Sequence, residues 1–221
     1  TVRGPWLECN PPSVTGGSEV CDHSNYGYAN RWLSGARECS WHGVTCDDAG
    51  KIKLLRLDYE GLSGSLPDGL AFLTALRILN LGKNDLTGSI PVAWFGLPLL
   101  RTLILYGNRI TGSISTEINK FKVLSSLNLG SNLLSGTIPD ALWDLRNLTI
   151  LDLGKNNLFG TISTRIGNLK DGNNFIYTPW QTSENSLVNT ILALNGNGLS
   201  GSIPQHEVGQ LTNLGKFRVH D

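Results

Sequence analysis

The sequence contains no methionine, no long apolar run and no excess of charge of either sign. Its 18 Lys and Arg residues balance 18 Asp and Glu residues. A neutral chain lacks the electrostatic field that draws proteins to nucleic acid or an anionic membrane, which excludes both partners. No apolar run approaches the roughly 18 residues that a membrane-spanning helix needs. Because methionine is absent, we expect that Thr1 follows a cleaved secretory signal peptide.

Residues that commonly carry catalysis are also scarce. No GxSxG, HExxH, phosphate-binding or dinucleotide-binding motif occurs. The histidines lie towards the two ends of the chain, so no repeated element brings a pair together: His23, His42, His206 and His220. We therefore expect no enzymatic activity, no cofactor and no bound metal.

One short segment is repeated along most of the chain. Its template, LxxLxLxxNxLxGx(I/L)(P/S), fits six segments, from residues 52–67 to residues 189–204. Glu60 replaces the asparagine in the first copy. The regular copies place one leucine and one asparagine every 24 residues: Leu79, Leu103, Leu127 and Leu151, then Asn84, Asn108, Asn132 and Asn156.

The alternating LxL core predicts a short strand with its leucines turned inward. Stacked copies would form parallel strands about 4.8 Å apart over one continuous apolar core. The asparagine follows where the chain turns, and its amide both donates and accepts hydrogen bonds. We therefore predict an asparagine ladder that satisfies buried backbone groups.

The unit resembles the plant-type leucine-rich repeat, whose LxGxIP tail is carried here by residues 86–91. The resemblance implies an α/β solenoid: a right-handed superhelix with a parallel sheet on its concave side. A second short strand and helical or 3₁₀ turns are implied on the convex side. The residues expected to face the core from these turns are Leu70, Phe72, Leu73, Leu142 and Leu145.

Residues 1–51 contain all four cysteines, Cys9, Cys21, Cys39 and Cys46, and precede the repeats of residues 52–221. An even number confined to one segment favours two disulfides over a zinc site, because no CxxC pair occurs. Three pairings are possible. A Cys39–Cys46 bond would contribute about 2–3 kcal/mol, leaving Cys9–Cys21. Residues 39–46 also resemble the CxWxGVxC motif of the N-terminal cap of such repeats, with Trp41 expected across the first strand's edge.

Two segments interrupt the 24-residue spacing of the repeats. About 17 residues, broadly 170–186, are inserted before the sixth copy and carry Phe175, Tyr177 and Trp180. They are interpreted either as a ligand-holding island, as in some plant receptor ectodomains, or as a loop packed on the solenoid wall. After Pro204 another unit begins but stays incomplete, which predicts either a longer native chain or a co-subunit at this end.

The remaining candidates are surface residues. Positions around each LxL form columns on the concave side, and the first three units carry positive charge and two tyrosines. Exposed Arg and aromatic residues dominate binding hot spots, although a merely solvated sheet is the alternative. The candidate partner-binding residues are Arg56, Tyr59, Arg77, Asn80, Lys83, Arg101, Tyr106, Asp152 and Lys155.

The sequence thus predicts a secreted or cell-surface recognition module that binds a protein, peptide or carbohydrate. Receptor ectodomains, inhibitors of polysaccharide-degrading enzymes and extracellular assembly subunits are the classes that the resemblance implies. The sequon at Asn147 predicts a glycan. A different function, ice binding, is considered because Ser and Thr form two files on the convex-side strands. One file begins with Ser63 and Thr87, and the other with Ser65 and Ser89.

Overall fold

A computed structural model describes residues 38–171, 191–211 and 216–219. Within these residues the chain forms thirteen short strands. They are β1 (Val44–Cys46), β2 (Ile52–Arg56), β3 (Ser63–Ser65), β4 (Ile78–Asn80), β5 (Asp85–Thr87), β6 (Thr102–Ile104), β7 (Ser126–Asn128), β8 (Ser135–Thr137), β9 (Ile150–Asp152), β10 (Asn157–Thr161), β11 (Ile191–Ala193), β12 (Gly198–Ser200) and β13 (Lys216–Arg218).

Eight of the strands form the main sheet, in the order β1-β2-β4-β6-β7-β9-β11-β13. From β2 onward the pairs are parallel, and Leu79 aligns with Leu103, Leu103 with Leu127, and Leu127 with Leu151. All four leucines are buried in one core. Leu192 pairs with Leu151 despite the insertion between them. The solenoid of stacked repeats is therefore confirmed.

The convex side is built from 3₁₀ turns, as expected. They span Asp68–Phe72, Val92–Gly96, Thr116–Lys120, Asp140–Asp144 and Thr164–Asp171, and a short α-helix, α1, spans Gln205–Gly209. Leu142 and Leu145 are buried, and Leu70 and Leu73 pack partly against the core. The prediction for Phe72 was wrong, because 84% of it is exposed. Later repeats place Gly96, Lys120 and Asp144 at this outward position.

The asparagine ladder is confirmed in detail. The Asn108 carbonyl oxygen accepts from the Leu86 N–H at 3.0 Å, and its amide nitrogen donates to the Leu81 and Leu105 carbonyls at 2.9 Å. Each asparagine thus connects its own coil to the preceding one. The equivalent bonds are made by Asn84, Asn132, Asn156 and Asn197.

An N-terminal cap covers the first repeat. The Cys39–Cys46 disulfide, one of the pairings that the sequence left open, is present, whereas Cys9 and Cys21 lie outside the described residues. Strand β1 pairs antiparallel with β2 and so occupies the edge that would otherwise face water. Trp41 packs partly against the core beside it.

The second strands of the repeats form two smaller sheets, β3-β5 and β12-β10-β8, which we call the lateral sheets. The strand register of these sheets corrects the prediction that equivalent Ser and Thr side chains line up in two files. Thr87 lies beside Ser65 and not beside Ser63, and Phe159 lies beside Thr137. The register of these strands is offset by two residues from one coil to the next, so equivalent Ser and Thr residues are not direct neighbours.

Candidate binding surface of the main sheet

The solvent-facing side of the main sheet, which we call the concave face, differs in one column from the sequence-based expectation. Strand alternation places Ile78 on the same face as Asn80, opposite the buried Leu79. Arg77 and Arg101 lie one residue before β4 and β6 and are exposed there. The column that sequence reasoning missed therefore consists of Leu54, Ile78, Thr102, Ser126 and Ile150, of which Thr102 and Ser126 are buried.

Asn80 is 7% exposed, so the expectation that its side chain is available on the surface was wrong. Its amide nitrogen donates to Asp58 Oδ1 at 2.9 Å, and its Oδ1 accepts from the Gly82 N–H at 3.0 Å. Short polar side chains often bind the backbone two residues on in this way. These local bonds and the neighbouring side chains enclose the amide.

Asp152 occupies the equivalent position three repeats later. Its Oδ1 accepts from the Gly154 N–H at 3.0 Å. Burial raises the pKa of this carboxyl, because desolvation outweighs the opposing effects of the Gly154 hydrogen bond and of Arg218 and Lys155. In the first repeat, burial lowers the pKa of Arg56, and the nearby Asp58 opposes that change.

A second column lies where each main strand turns away, and we call it the rim column: Tyr59, Lys83, Gly107, Ser131, Lys155 and Gly196. All six residues adopt positive φ, between 52° at Ser131 and 70° at Gly107. Backbone bonds to the next coil hold this conformation, for example from the Tyr59 N–H to the Gly82 carbonyl at 3.0 Å. Four of the six nevertheless carry a side chain.

Tyr106 lies beside the rim column and contacts Lys83 of the preceding coil. Lys83 Nζ lies 4.5 Å from the centroid of its ring. The Ser131 hydroxyl donates to its phenolic oxygen, which lowers the pKa of Tyr106, and the charges of Lys83 and Lys155 act in the same direction. The structure thus places two of the predicted residues, Lys83 and Tyr106, in contact, while Lys155 and Ser131, which was not predicted as a binding residue, act on the pKa of Tyr106.

The remaining sequence-based candidates are placed as follows. Phe175, Tyr177 and Trp180 lie outside the described residues. Asn147 is exposed and its amide nitrogen donates to the Lys122 carbonyl at 3.1 Å, while the sequon's Thr149 is buried. Glycosylation there stays a prediction.

Within residues 38–171, 191–211 and 216–219, no three His, Cys, Asp or Glu side chains are grouped to hold a metal ion. No helix in this part of the chain has the length and apolar character to span a membrane.

Comparison with known proteins identifies the repeats. Leucine-rich-repeat family models match residues 51–110, and residues 123–145 and 147–169. A chain of the BIR3–SERK2 complex from Arabidopsis thaliana is 34% identical, with a TM-score of 0.60 over 80% of this chain and 85% of that one. The chain therefore belongs to the leucine-rich-repeat family, and specifically to its plant extracellular type.

Three further similarities bear on function. Phytosulfokine receptor 2 of Arabidopsis thaliana is 34% identical over 32% of this chain, which spans 7% of that receptor. The plant peptide hormone receptor RGFR1 in complex with RGF2 is 32% identical with a TM-score of 0.61, covering 72% of this chain and 22% of that one. A plant ice-binding protein is 31% identical with a TM-score of 0.60, covering 63% and 46%.

Proposed function

We propose that the protein is an extracellular, non-catalytic recognition module that binds a peptide, or an extended segment of a protein, on the concave face. The observation that carries this proposal is the rim column, where Tyr59, Lys83, Ser131 and Lys155 keep side chains in a backbone conformation suited to glycine. The similarity to a peptide hormone receptor supports the same class of ligand.

A left-handed backbone conformation costs a non-glycine residue about 1 kcal/mol. Gly107 and Gly196 occupy the same column, so the repeat itself accepts glycine here. Tyr59 is 72% exposed and gains little by burial. Strained residues of this kind cluster at functional sites, where the side chain contributes more to binding than it costs in stability. The concave face is therefore the surface we assign to the ligand.

Tyr59→Gly tests this assignment, with peptides selected from a random display library on the immobilised chain as the probe. We expect the free energy of unfolding to rise by about 1 kcal/mol and the affinity for the selected peptides to fall. Thr74→Gly, an exposed change away from the concave face, is the control for binding. A more stable variant with unchanged affinity would contradict the proposal.

Ice binding is the second candidate, because a plant ice-binding protein is among the similar structures. The exposed hydroxyls of the lateral sheets are the candidate surface. Phe159 projects from these sheets with 54% exposure, and Arg109 pairs with Asp85 at 3.2 Å, so the hydroxyl array is interrupted. Thermal hysteresis and ice-crystal shaping by the purified chain would support this candidate, and their absence would remove it.

A further inference from the structure

The turn that joins β11 to β12 contains the dipeptide Asn-Gly twice, at residues 195–196 and 197–198. An asparagine followed by glycine is especially prone to spontaneous deamidation. Glycine has no Cβ to hinder attack by its own backbone nitrogen on the asparagine side chain, and its backbone is permissive. Both asparagines are half-buried, so exposure alone does not distinguish them. The hydrogen bonds of their side chains do.

Asn197 is held by its side-chain amide, because it belongs to the asparagine ladder. The amide nitrogen donates to the carbonyls of Leu153 at 3.0 Å, Leu194 at 2.9 Å and Asn195 at 3.3 Å. Its Oδ1 accepts from the Leu158 N–H at 3.1 Å. These bonds must break before the side chain can turn towards the following backbone nitrogen, so the fold protects Asn197 from deamidation.

The Asn195 side chain is placed differently. Among the described residues, none donates a hydrogen bond to its amide or accepts one from it. Its Oδ1 lies over Gly154 of the preceding coil, 3.0 Å from the position that a Cβ there would occupy. The backbone carbonyl of Asn195 accepts from the Lys155 N–H at 2.7 Å and from the Asn197 amide. Reaction at Asn195 therefore loosens these backbone contacts but leaves the ladder amides in place.

A carboxylate at residue 195 would lie beside the carboxyl group of Asp152. Asp152 Oδ1 is 3.3 Å from the same position over Gly154, so the two side chains approach one point from neighbouring coils. Asp152 is already partly desolvated, and the charged groups that act on it, Lys155 and Arg218, do so at longer range. A second negative charge would repel the first.

We propose that Asn195 is a site of spontaneous deamidation, through which the protein gains a negative charge beside Asp152 as it ages. The Gly196 nitrogen attacks Cγ of Asn195 and forms a new N–Cγ bond. The Cγ–Nδ2 bond breaks, and the amide nitrogen leaves as ammonia with the proton from the Gly196 nitrogen. Water then opens the succinimide ring to give aspartate or isoaspartate. The reaction needs water alone, and the inference is independent of peptide binding.

The test follows both asparagines in one sample. The folded chain is incubated at mildly alkaline pH, where the attacking nitrogen loses its proton more readily, and its peptides are sequenced by mass spectrometry over time. We expect Asn195 to deamidate at least about tenfold faster than Asn197, a factor equivalent to 1.4 kcal/mol of hydrogen-bond protection at Asn197.

The chain unfolded in urea is the matched control. Both asparagines then precede glycine without structural protection, so we expect similar rates. In the folded chain, equal rates at the two positions or faster reaction at Asn197 would overturn the proposal. It would also be overturned if Asn195 stays intact in the folded chain while it reacts in the unfolded one.

The predicted position of the new charge is tested with Asn195→Asp, which reproduces the aspartate product. Repulsion by Asp152 should lower the urea midpoint of this variant at neutral pH. The loss should be smaller when the same change is made in the Asp152→Asn background, because the pair of like charges is then absent. An equal loss in both backgrounds, or no loss in the wild-type background, would contradict the placement of the charge beside Asp152.

Discussion

At a few positions a residue departs from the repeat template, and its contacts show why. Glu60 stands where later coils have asparagine, and it cannot reach back to a preceding repeat because the cap lies there instead. His42 of the cap contacts it, with Nε2 and Oε1 3.0 Å apart. The Asn84 carbonyl oxygen then accepts from the Glu60 N–H at 3.0 Å, which continues the ladder. The substitution therefore matches the start of the solenoid.

The asparagine ladder could be predicted from sequence because an amide at a fixed turn position has few alternative roles. The burial of Asn80 could not be predicted in this way. Exposure on a closely spaced sheet depends on the size of side chains in adjacent coils, which the repeat template leaves open. The positive φ of Tyr59 and Lys83 was likewise missed, although Gly107 and Gly196 at the same position were the available signal.

Asp152→Asn should raise the stability of the protein at neutral pH, by up to about 1 kcal/mol. The amide removes the buried charge and keeps the bond to Gly154, as Asn128 does with the Gly130 N–H at 3.1 Å. Because burial raises the folded-state pKa of Asp152, the destabilisation caused by burying its charge is present in full above that pKa. It disappears below the ordinary pKa of aspartate, where the residue is neutral in both states.

Urea unfolding of the wild type and Asp152→Asn between pH 3 and pH 8 measures this difference. Asp48→Asn, at an exposed turn position, is the control. A gain that is independent of pH would show that the buried charge is not its cause, and a loss of stability at neutral pH would show that Asp152 is stabilised as the charged form.

Among the elements, the cap strand was the least predictable part of the described fold. The CxWxGVxC resemblance indicated a cap but not an antiparallel strand, and the sequence left the choice among three disulfide pairings open. The second strand of each repeat was predicted, but the register of the lateral sheets was not. Neighbouring lateral strands are offset by two residues per coil, and this offset depends on the turns between the main sheet and the lateral sheets. Identical spacing in sequence does not reveal such an offset. The main strands, by contrast, are placed by buried leucines at strict intervals.

Gly43→Ala should destabilise the cap by more than about 2 kcal/mol. Gly43 has a φ of +73°, and an added Cβ would lie 1.9 Å from the Arg56 carbonyl oxygen, where β1 meets β2. Gly50→Ala is the matched control. Its φ is +75°, but an added Cβ there would meet no atom within 4 Å. Gly50→Ala should lower the free energy of unfolding only by the cost of a left-handed backbone conformation, about 1 kcal/mol.

Thermal unfolding of both variants, with the disulfide intact, checks the difference. Equal destabilisation by the two substitutions would mean that close packing of the cap against Arg56 is not what holds β1 in place.

The described part of the molecule is a stack of coils, and the same repeated geometry buries the core and sets the spacing of the surface residues. Leucines fill the interior of the described coils, and asparagines join them from the second coil on, so the outward positions are free to vary between coils. The chain is neutral overall, whereas Arg77, Lys83, Arg101 and Tyr106 all belong to coils of its first half, and Lys83 contacts the Tyr106 ring. Sequence reasoning selected these residues as binding candidates because the column spacing is regular. It could not identify the contact between Lys83 and Tyr106, since this contact depends on the side-chain conformations of two neighbouring coils.

The most direct test of concave-face recognition is the affinity of the selected peptides for Tyr106→Ala combined with Arg77→Ala, measured by titration calorimetry. Both residues are candidates for the proposed concave-face surface, so we expect binding to weaken at least tenfold, or about 1.4 kcal/mol, with a stability change within about 1 kcal/mol. Phe159→Ser on the lateral sheets should leave the affinity unchanged. Unaltered affinity in the double variant, with weaker binding by Phe159→Ser, would place recognition on the lateral sheets and contradict the account.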